Sequence, residues 1–150
     1  MNLNSSFGIS ASGLTAQRLR MDVISSNIAN AETTRASVVN GKAVPYRRKM
    51  VVLAPNESKF ENMLQAQLNG EGSSARGVKV NAIQEDQTPF KPVYNPSHPD
   101  ADAEGYVYMP NVDLTKEMVD LISASHAYNA NVTALNASKA MIMKALEIGR

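Results

Sequence analysis

Cysteine and tryptophan are both absent from the 150-residue sequence. Without cysteine there is no thiol nucleophile, no disulfide framework and no thiolate-ligated zinc, and the chain is indifferent to the redox state around it. Aromatic residues are only 5% of the chain and charged residues 19%, below the ~25% charged fraction usual in globular proteins. Aliphatic and small-residue packing is therefore expected in place of a dense aromatic core. Fifteen Lys and Arg oppose fourteen Asp and Glu, leaving +1, too little for a field that steers the chain to nucleic acid or anionic lipid. No apolar run reaches the ~18 residues of a spanning helix, so direct membrane insertion is not expected. The opening residues, MNLNSSFGIS, have neither a basic start nor an apolar stretch. A cleavable signal peptide is not expected, and export would have to use another route.

What is present is concentrated at the two ends. Between Ser5 and Asn30 there is no proline, and Phe7, Leu14, Met21 and Ile28 recur at a strict step of seven. Leu3, Ala11 and Ile24 fill intermediate steps, while Gln17 and Arg18 leave a polar gap. This spacing keeps a narrow stripe on one side of a helix, the geometry of a coiled-coil seam. At the other end, Pro110 and Asn111 punctuate a start, Asp113 is a candidate N-cap, and Glu117 falls near the positive end of the helix dipole. Leu114, Met118, Leu121, Ser125, Tyr128, Val132, Leu135, Lys139, Ile142 and Leu146 then alternate steps of four and three. Beside them runs a stripe of small residues, Ala124, Ala127, Ala134, Ala137 and Ala145, so this helix can meet neighbours on two sides. Long helices are marginal alone in water. The ends are expected to be frayed or disordered in the monomer and to order on assembly.

The middle has a different character. All seven prolines lie between Pro45 and Pro110. Tyr46–Leu53, Val78–Ile83 and Tyr106–Met109 are strand candidates. Phe60, Met63, Leu64 and Leu68 allow a short helix, and Asn69–Gly77 is a connector. Pro89, Pro92, Pro96 and Pro99 hold the next stretch extended or turning, and out of any central strand. The predicted fold is mainly α with a small β-rich insert. Residues 1–35 form an N-terminal helix, 36–110 an insert of short strands and extended loops, and 111–150 a C-terminal helix.

Sites of chemistry are scarce. Asp100, Asp102, Glu104 and Gly105 imitate the first half of a calcium loop, but the twelfth position is Asn111, where a bidentate glutamate is required. A solvated acidic turn is the better reading. His98 and His126 stand 28 residues apart and are the only histidines, so a metal site would need both plus carboxylates. There is no nucleophile elbow, no phosphate-binding loop and no dinucleotide fingerprint. No cofactor, no metal and no enzyme activity are expected. The basic run Arg47-Arg48-Lys49 lacks aromatic interleaving, which makes it weak as a nucleic-acid patch. It reads better as a solvated strand or an ion-pairing intersubunit surface.

Ser12–Asn30, SGLTAQRLRMDVISSNIAN, resembles the N-terminal signature of the bacterial flagellar rod and hook proteins, ending in Ser-Asn-Ile-Ala-Asn. Asn27 and Asn30 offer amides that can satisfy carbonyls where the helix stops. Tyr94–Asn111, YNPSHPDADAEGYVYMPN, with the helical segment that follows, and Pro45–Lys49, PYRRK, resemble proximal-rod members of the basal-body rod family. These motifs cover about two-thirds of the chain. Relatives often read Thr-Pro-Gly where this chain has Ala31-Glu32-Thr33-Thr34-Arg35, and Arg and Glu where it has His126 and Asn129.

The resemblance implies a structural subunit of the rod that crosses the periplasm. Such a subunit is exported unfolded by the flagellar type III apparatus and joins copies of itself and other rod proteins in a helical tube around the export channel. Its terminal helices would form a coiled-coil-like core layer, with Phe7, Leu14, Met21, Asn27, Ile28, Asn30, Leu114, Met118, Leu121, Tyr128, Val132, Leu135, Ile142 and Leu146 as the assembly positions. The competing reading is a secreted coiled-coil adaptor or export-associated protein that does not polymerise. Leu121→Asp or Leu135→Asp is expected to abolish incorporation and motility; normal swimming of either mutant in soft agar would remove the seam.

Overall fold

Proline-free spacing at the N-terminus builds a helix over Leu3–Ala29 (α1). It ends at Asn30, whose Nδ2 donates to the Ser26 carbonyl at 2.9 Å and whose Oδ1 accepts from the Thr33 hydroxyl at 3.2 Å. Asn30 thus has the helix-ending role expected of it. The computed structural model describes residues 3–39, 42–56 and 77–148. The expected short helix at Phe60–Leu68 and the connector up to residue 76 fall outside these residues. The second long helix, Leu114–Ile148 (α2), runs 35 residues. Asp113 caps it, its Oδ1 accepting the Thr115 N–H at 3.0 Å and the Lys116 N–H at 3.3 Å, which satisfies two orphan donors of the first turn.

Between the helices in sequence, the described residues form three separate two-stranded sheets. Ser37–Val39 (β1) pairs antiparallel with Lys42–Val44 (β2). Lys49–Pro55 (β3) pairs with Val78–Glu85 (β4). That pair is bracketed by Asn56 N–H to the Gly77 carbonyl at 2.8 Å and Asp86 N–H to the Arg48 carbonyl at 2.8 Å. Lys91–Tyr94 (β5) pairs antiparallel with Tyr106–Met109 (β6), Pro92 opposite Tyr108 and Tyr94 opposite Tyr106. The fold is mainly helical with a small β-rich middle.

Two-stranded ribbons are marginal alone in water, and β6 shows how this one is held. Val107 is buried while Tyr106 and Tyr108 on the other face are exposed, the period of two expected of a strand lying on a core. Pro92 sits in β5 without penalty because a two-stranded sheet leaves each strand a free edge. The three expected strands are present, with β3 beginning three residues later than Tyr46. The hairpin β1–β2 and strand β5 were not anticipated. Three-residue strands carry no readable period, and the proline spacing disguised β5.

The chain divides into two compact units. One comprises Met1–Leu19, Val52–Ala82 and Ser125–Arg150; the other comprises Arg20–Val51 and Ile83–Ala124. In the second unit the buried apolar residues are Val23, Ile24, Tyr46, Val107, Val112 and Ala124. In the first, Ser10, Ala16 and Ser138 are buried, and small residues allow the helices a close approach. A Cβ on Gly13 would stand 3.0 Å from the Asn131 amide, which itself donates to the Ala127 carbonyl at 3.0 Å.

Ser12 binds the beginning of β4. Its hydroxyl donates to the Ile9 carbonyl at 2.7 Å and accepts the Val78 N–H at 3.1 Å. The approach requires glycine at 77, since a Cβ there would fall 2.2 Å from Ser12 Oγ. Gly77→Ala is expected to lower stability by about 1–3 kcal/mol, measured by urea unfolding, with partial recovery in the Gly77→Ala/Ser12→Ala double variant. An unchanged urea midpoint for Gly77→Ala would show that Ser12 does not hold this strand.

Candidate functional site: a buried polar lock and an exposed helix face

Of the three largest fully buried side chains in the described residues, Glu117, Asn27 and Pro110, two are polar. Glu117 is 0% and Asn27 1% exposed. A buried carboxylate is tolerated only when paired and hydrogen-bonded, and the sequence supplies those partners from two other segments. Arg48 Nε donates to Glu117 Oε1 at 2.6 Å, and Asn27 Nδ2 donates to Glu117 Oε2 at 3.0 Å. The same Asn27 amide donates to the Lys49 carbonyl at 2.9 Å. Its Oδ1 accepts the Lys49 N–H at 3.0 Å and the Tyr46 hydroxyl at 3.0 Å. Every donor and acceptor position of the Asn27 side chain is filled. Asn27 therefore does not cap α1 as the sequence suggested. It pairs with the backbone of Lys49 as a neighbouring strand would, and ties the last turns of α1 to the first turns of α2.

Arg48 is the hub of the charges. Besides Glu117 it faces Asp86 at 3.6 Å and Asp120 at 3.7 Å, and Asp120 also meets Arg20 at 3.6 Å. The Arg48 N–H donates to Asn111 Oδ1 at 2.9 Å, and Asn111 Nδ2 reaches the carbonyls of Asp86 and Thr88, both at 3.3 Å. Hydrogen bonds from the Thr88 hydroxyl and N–H, with Arg48 nearby, hold the Asp86 carboxyl below its ordinary value of 3.8. A depressed carboxylate contributes stability above that value and loses it as pH falls further. The basic run is thus neither simply solvated nor an intersubunit surface at its centre, because Arg48 spends its charge inside its own chain. Arg47 lies over the Phe90 ring at 4.6 Å and Lys49 over Tyr46 at 5.7 Å.

The acidic turn is internally used as well. The Asp100 carboxylate accepts from Arg35, with Nε at 3.0 Å, and from the Thr34 hydroxyl at 2.9 Å; these bonds hold its pKa down. Asp102 Oδ1 takes the N–H groups of Glu104 and Tyr106, both at 3.0 Å. His98 Nδ1 accepts the Asp100 N–H at 3.1 Å. Among the described residues no cluster of three or more His, Asp or Glu could hold a metal ion.

The expected assembly positions are distributed unevenly. Phe7, Leu14, Met21 and Ile28 are all half-buried, as are Leu121, Tyr128, Val132, Leu135 and Ile142. Leu114, Met118 and Leu146 are exposed, Met118 by 57% and Leu146 by 67%. The innermost positions of α2 are Glu117, Ala124 and Ser138, one residue before the expected Met118, Ser125 and Lys139. Large apolar side chains are thereby turned outward. Val119 and Ile122 near the start of α2, and Met141 and Met143 near its end, are also exposed.

A family model described as flagella basal body rod protein matches residues 7–36, and one described as flagellar basal body rod FlgEFG protein C-terminal matches residues 103–148. The chain belongs to the flagellar basal-body rod protein family, a class of structural subunits. Its curated relatives are named flagellar basal-body rod protein FlgC. The one from Bacillus subtilis is 59% identical over 97% of each chain. The one from Borreliella burgdorferi is 46% identical over 99% of this chain and 98% of its own. One from Escherichia coli is 44% identical over the whole of both. The Asn27 and Glu117 partners both fall within the matched segments.

Arg48→Met is expected to lower subunit stability by roughly 3–5 kcal/mol, since it leaves Glu117 buried without its cation. Asn27→Asp, which sets a carboxylate against Glu117, is expected to be at least as disruptive. Urea unfolding of the purified subunit checks both; wild-type midpoints for both variants would mean the lock is not what holds these helix ends together.

Proposed function

We propose that this chain is a subunit of the proximal rod, built into a helical tube that transmits torque and encloses the export channel. Residues 1–35 and 111–150 supply its core layer, and residues 36–110 lie outside that layer. The observation that carries this reading is the exposed apolar face of α2 in a chain whose buried Asn27–Arg48–Glu117 lock is satisfied internally. Exposed apolar patches of this kind mark interaction surfaces, and a contact between different faces of identical copies continues into a helical tube when its rotation does not close a ring. The partners are copies of the chain and other rod proteins, and delivery is by the flagellar type III export apparatus. Torque is carried through many repeated side-by-side contacts, so the chain acts mechanically and not as an enzyme.

The assembly positions named from the sequence are retained in this reading with two roles. The half-buried ones, such as Leu121 and Leu135, serve the subunit's own packing and border its neighbours. The exposed ones, Leu114, Met118 and Leu146, serve neighbours alone. Met118→Asp with Ile122→Asp is expected to leave the urea midpoint of the isolated subunit within about 0.5 kcal/mol of wild type and to abolish both swimming and recovery of the chain in purified basal bodies. Normal swimming with normal incorporation would overturn the assembly role of this face.

A further inference from the structure

The hairpin β5–β6 carries an aromatic face that the lock and the helix faces do not use. Pro92, Tyr94, Tyr106 and Tyr108 share one side of it, by the register Pro92–Tyr108 and Tyr94–Tyr106. Three of the five tyrosines of the chain stand here, 66%, 40% and 50% exposed in sequence order. Their placement is built in. Tyr94 and Tyr106 meet edge to face with centroids 5.4 Å apart, and Gly105, at φ +83°, makes room for the Tyr94 ring, which a Cβ would meet at 3.0 Å. Rigid tyrosines held this way lose little entropy on contact, and tyrosine is enriched among interface hot spots.

We infer that this face receives the last turns of α2 from a second copy of the chain, through Lys139, Met143 and Leu146; the inference rests on the rod reading above. Size and charge select this occupant. The three tyrosines expose on the order of 300 Å², within the range of functional patches but well under the ~800 Å² per partner of a standard interface. Such a face cannot hold a dimer in solution and suits a contact inside a lattice already held by helices. The neighbouring turn carries Asp100, Asp102 and Glu104, of which Asp100 is neutralised by Arg35, so the rim of the patch stays acidic. Lys139, Met143 and Leu146, at i, i+4 and i+7, lie along one helix face and are all exposed. They bring a cation to the acidic rim, and a thioether and an aliphatic group to the rings, where sulfur–aromatic contacts are favourable. The other exposed apolar line of α2, Leu114, Met118 and Ile122, carries no cation.

The absence of cysteine makes the test clean. Tyr108→Cys and Met143→Cys are expressed together as single-cysteine variants, basal bodies are isolated and oxidised, and the disulfide products are resolved by mass. The expected result is a mixed dimer that requires both variants. Dimers from Tyr108→Cys alone, no dimer at all, or attachment of a photo-crosslinking residue at 108 to another rod protein would each overturn the inference. A charge exchange covers the case in which the cysteines disturb incorporation. Glu104→Lys lowers incorporation about two- to fivefold, the effect of a rim ion pair, and Lys139→Glu in the same chain restores it; no restoration overturns the contact. Absence of the wild-type chain from basal bodies would count against the rod reading, whereas its presence without the mixed dimer counts against this contact alone.

Discussion

Glu117 is a carboxylate placed where water does not reach, and much of the second unit follows from that placement. An isolated buried charge would cost several kcal/mol, so Arg48 and Asn27 must be brought to it together. Bringing Arg48 fixes where β3 begins, and bringing Asn27 fixes how the end of α1 lies against the start of α2. Each bond depends on the others, because losing any partner strands a buried polar group. Directional bonds of this kind specify one arrangement, whereas a greasy contact of the same area would accept several registers.

This arrangement reverses the usual distribution along a helix. On α2 the innermost positions are Glu117, Ala124 and Ser138, small or polar, while Met118, Val119, Ile122, Met143 and Leu146 face outward. In a self-sufficient globule that would be an aggregation liability. In the rod subunit proposed above it would be a division of labour: short and polar groups set the internal geometry at close range, and the larger apolar groups are left for neighbours. The two requirements conflict little, since they occupy different faces of one helix.

The same economy accounts for the signature residues. Ser12 binds β4 through its N–H, Gly13 lets the Asn131 amide approach, Asn27 joins the lock and Asn30 closes the helix. Three short residues on α1 and one just past its end thus perform four distinct jobs, and each job depends on a group small enough to bring backbone or amide close. The sequence made the helices, three of the strands and the Asp113 cap readable, because periodicity and capping are local. It also made the family visible. The lock was not readable. Asn27, Arg48 and Glu117 lie 21 and 69 residues apart in order along the chain, and no local pattern marks them as partners. A glutamate in the first turn of a helix has an ordinary local explanation in the dipole, and that explanation hid its burial.

What the sequence determined by itself was therefore class and extent: two long helices, a proline-bearing β middle, no thiol chemistry, and membership of a rod-forming family. Heptad spacing gave the stripe but not its rotation. Leu121, Tyr128, Leu135 and Ile142 suit either of two lines that differ by one residue at the positions between them. Only the tertiary structure chose between those lines, because burying Glu117 against Arg48 and Asn27 turns the start of α2 until Ala124 faces inward and Met118 faces out. Helix periodicity fixes which residues share a face, while long-range hydrogen bonds fix which way that face is turned.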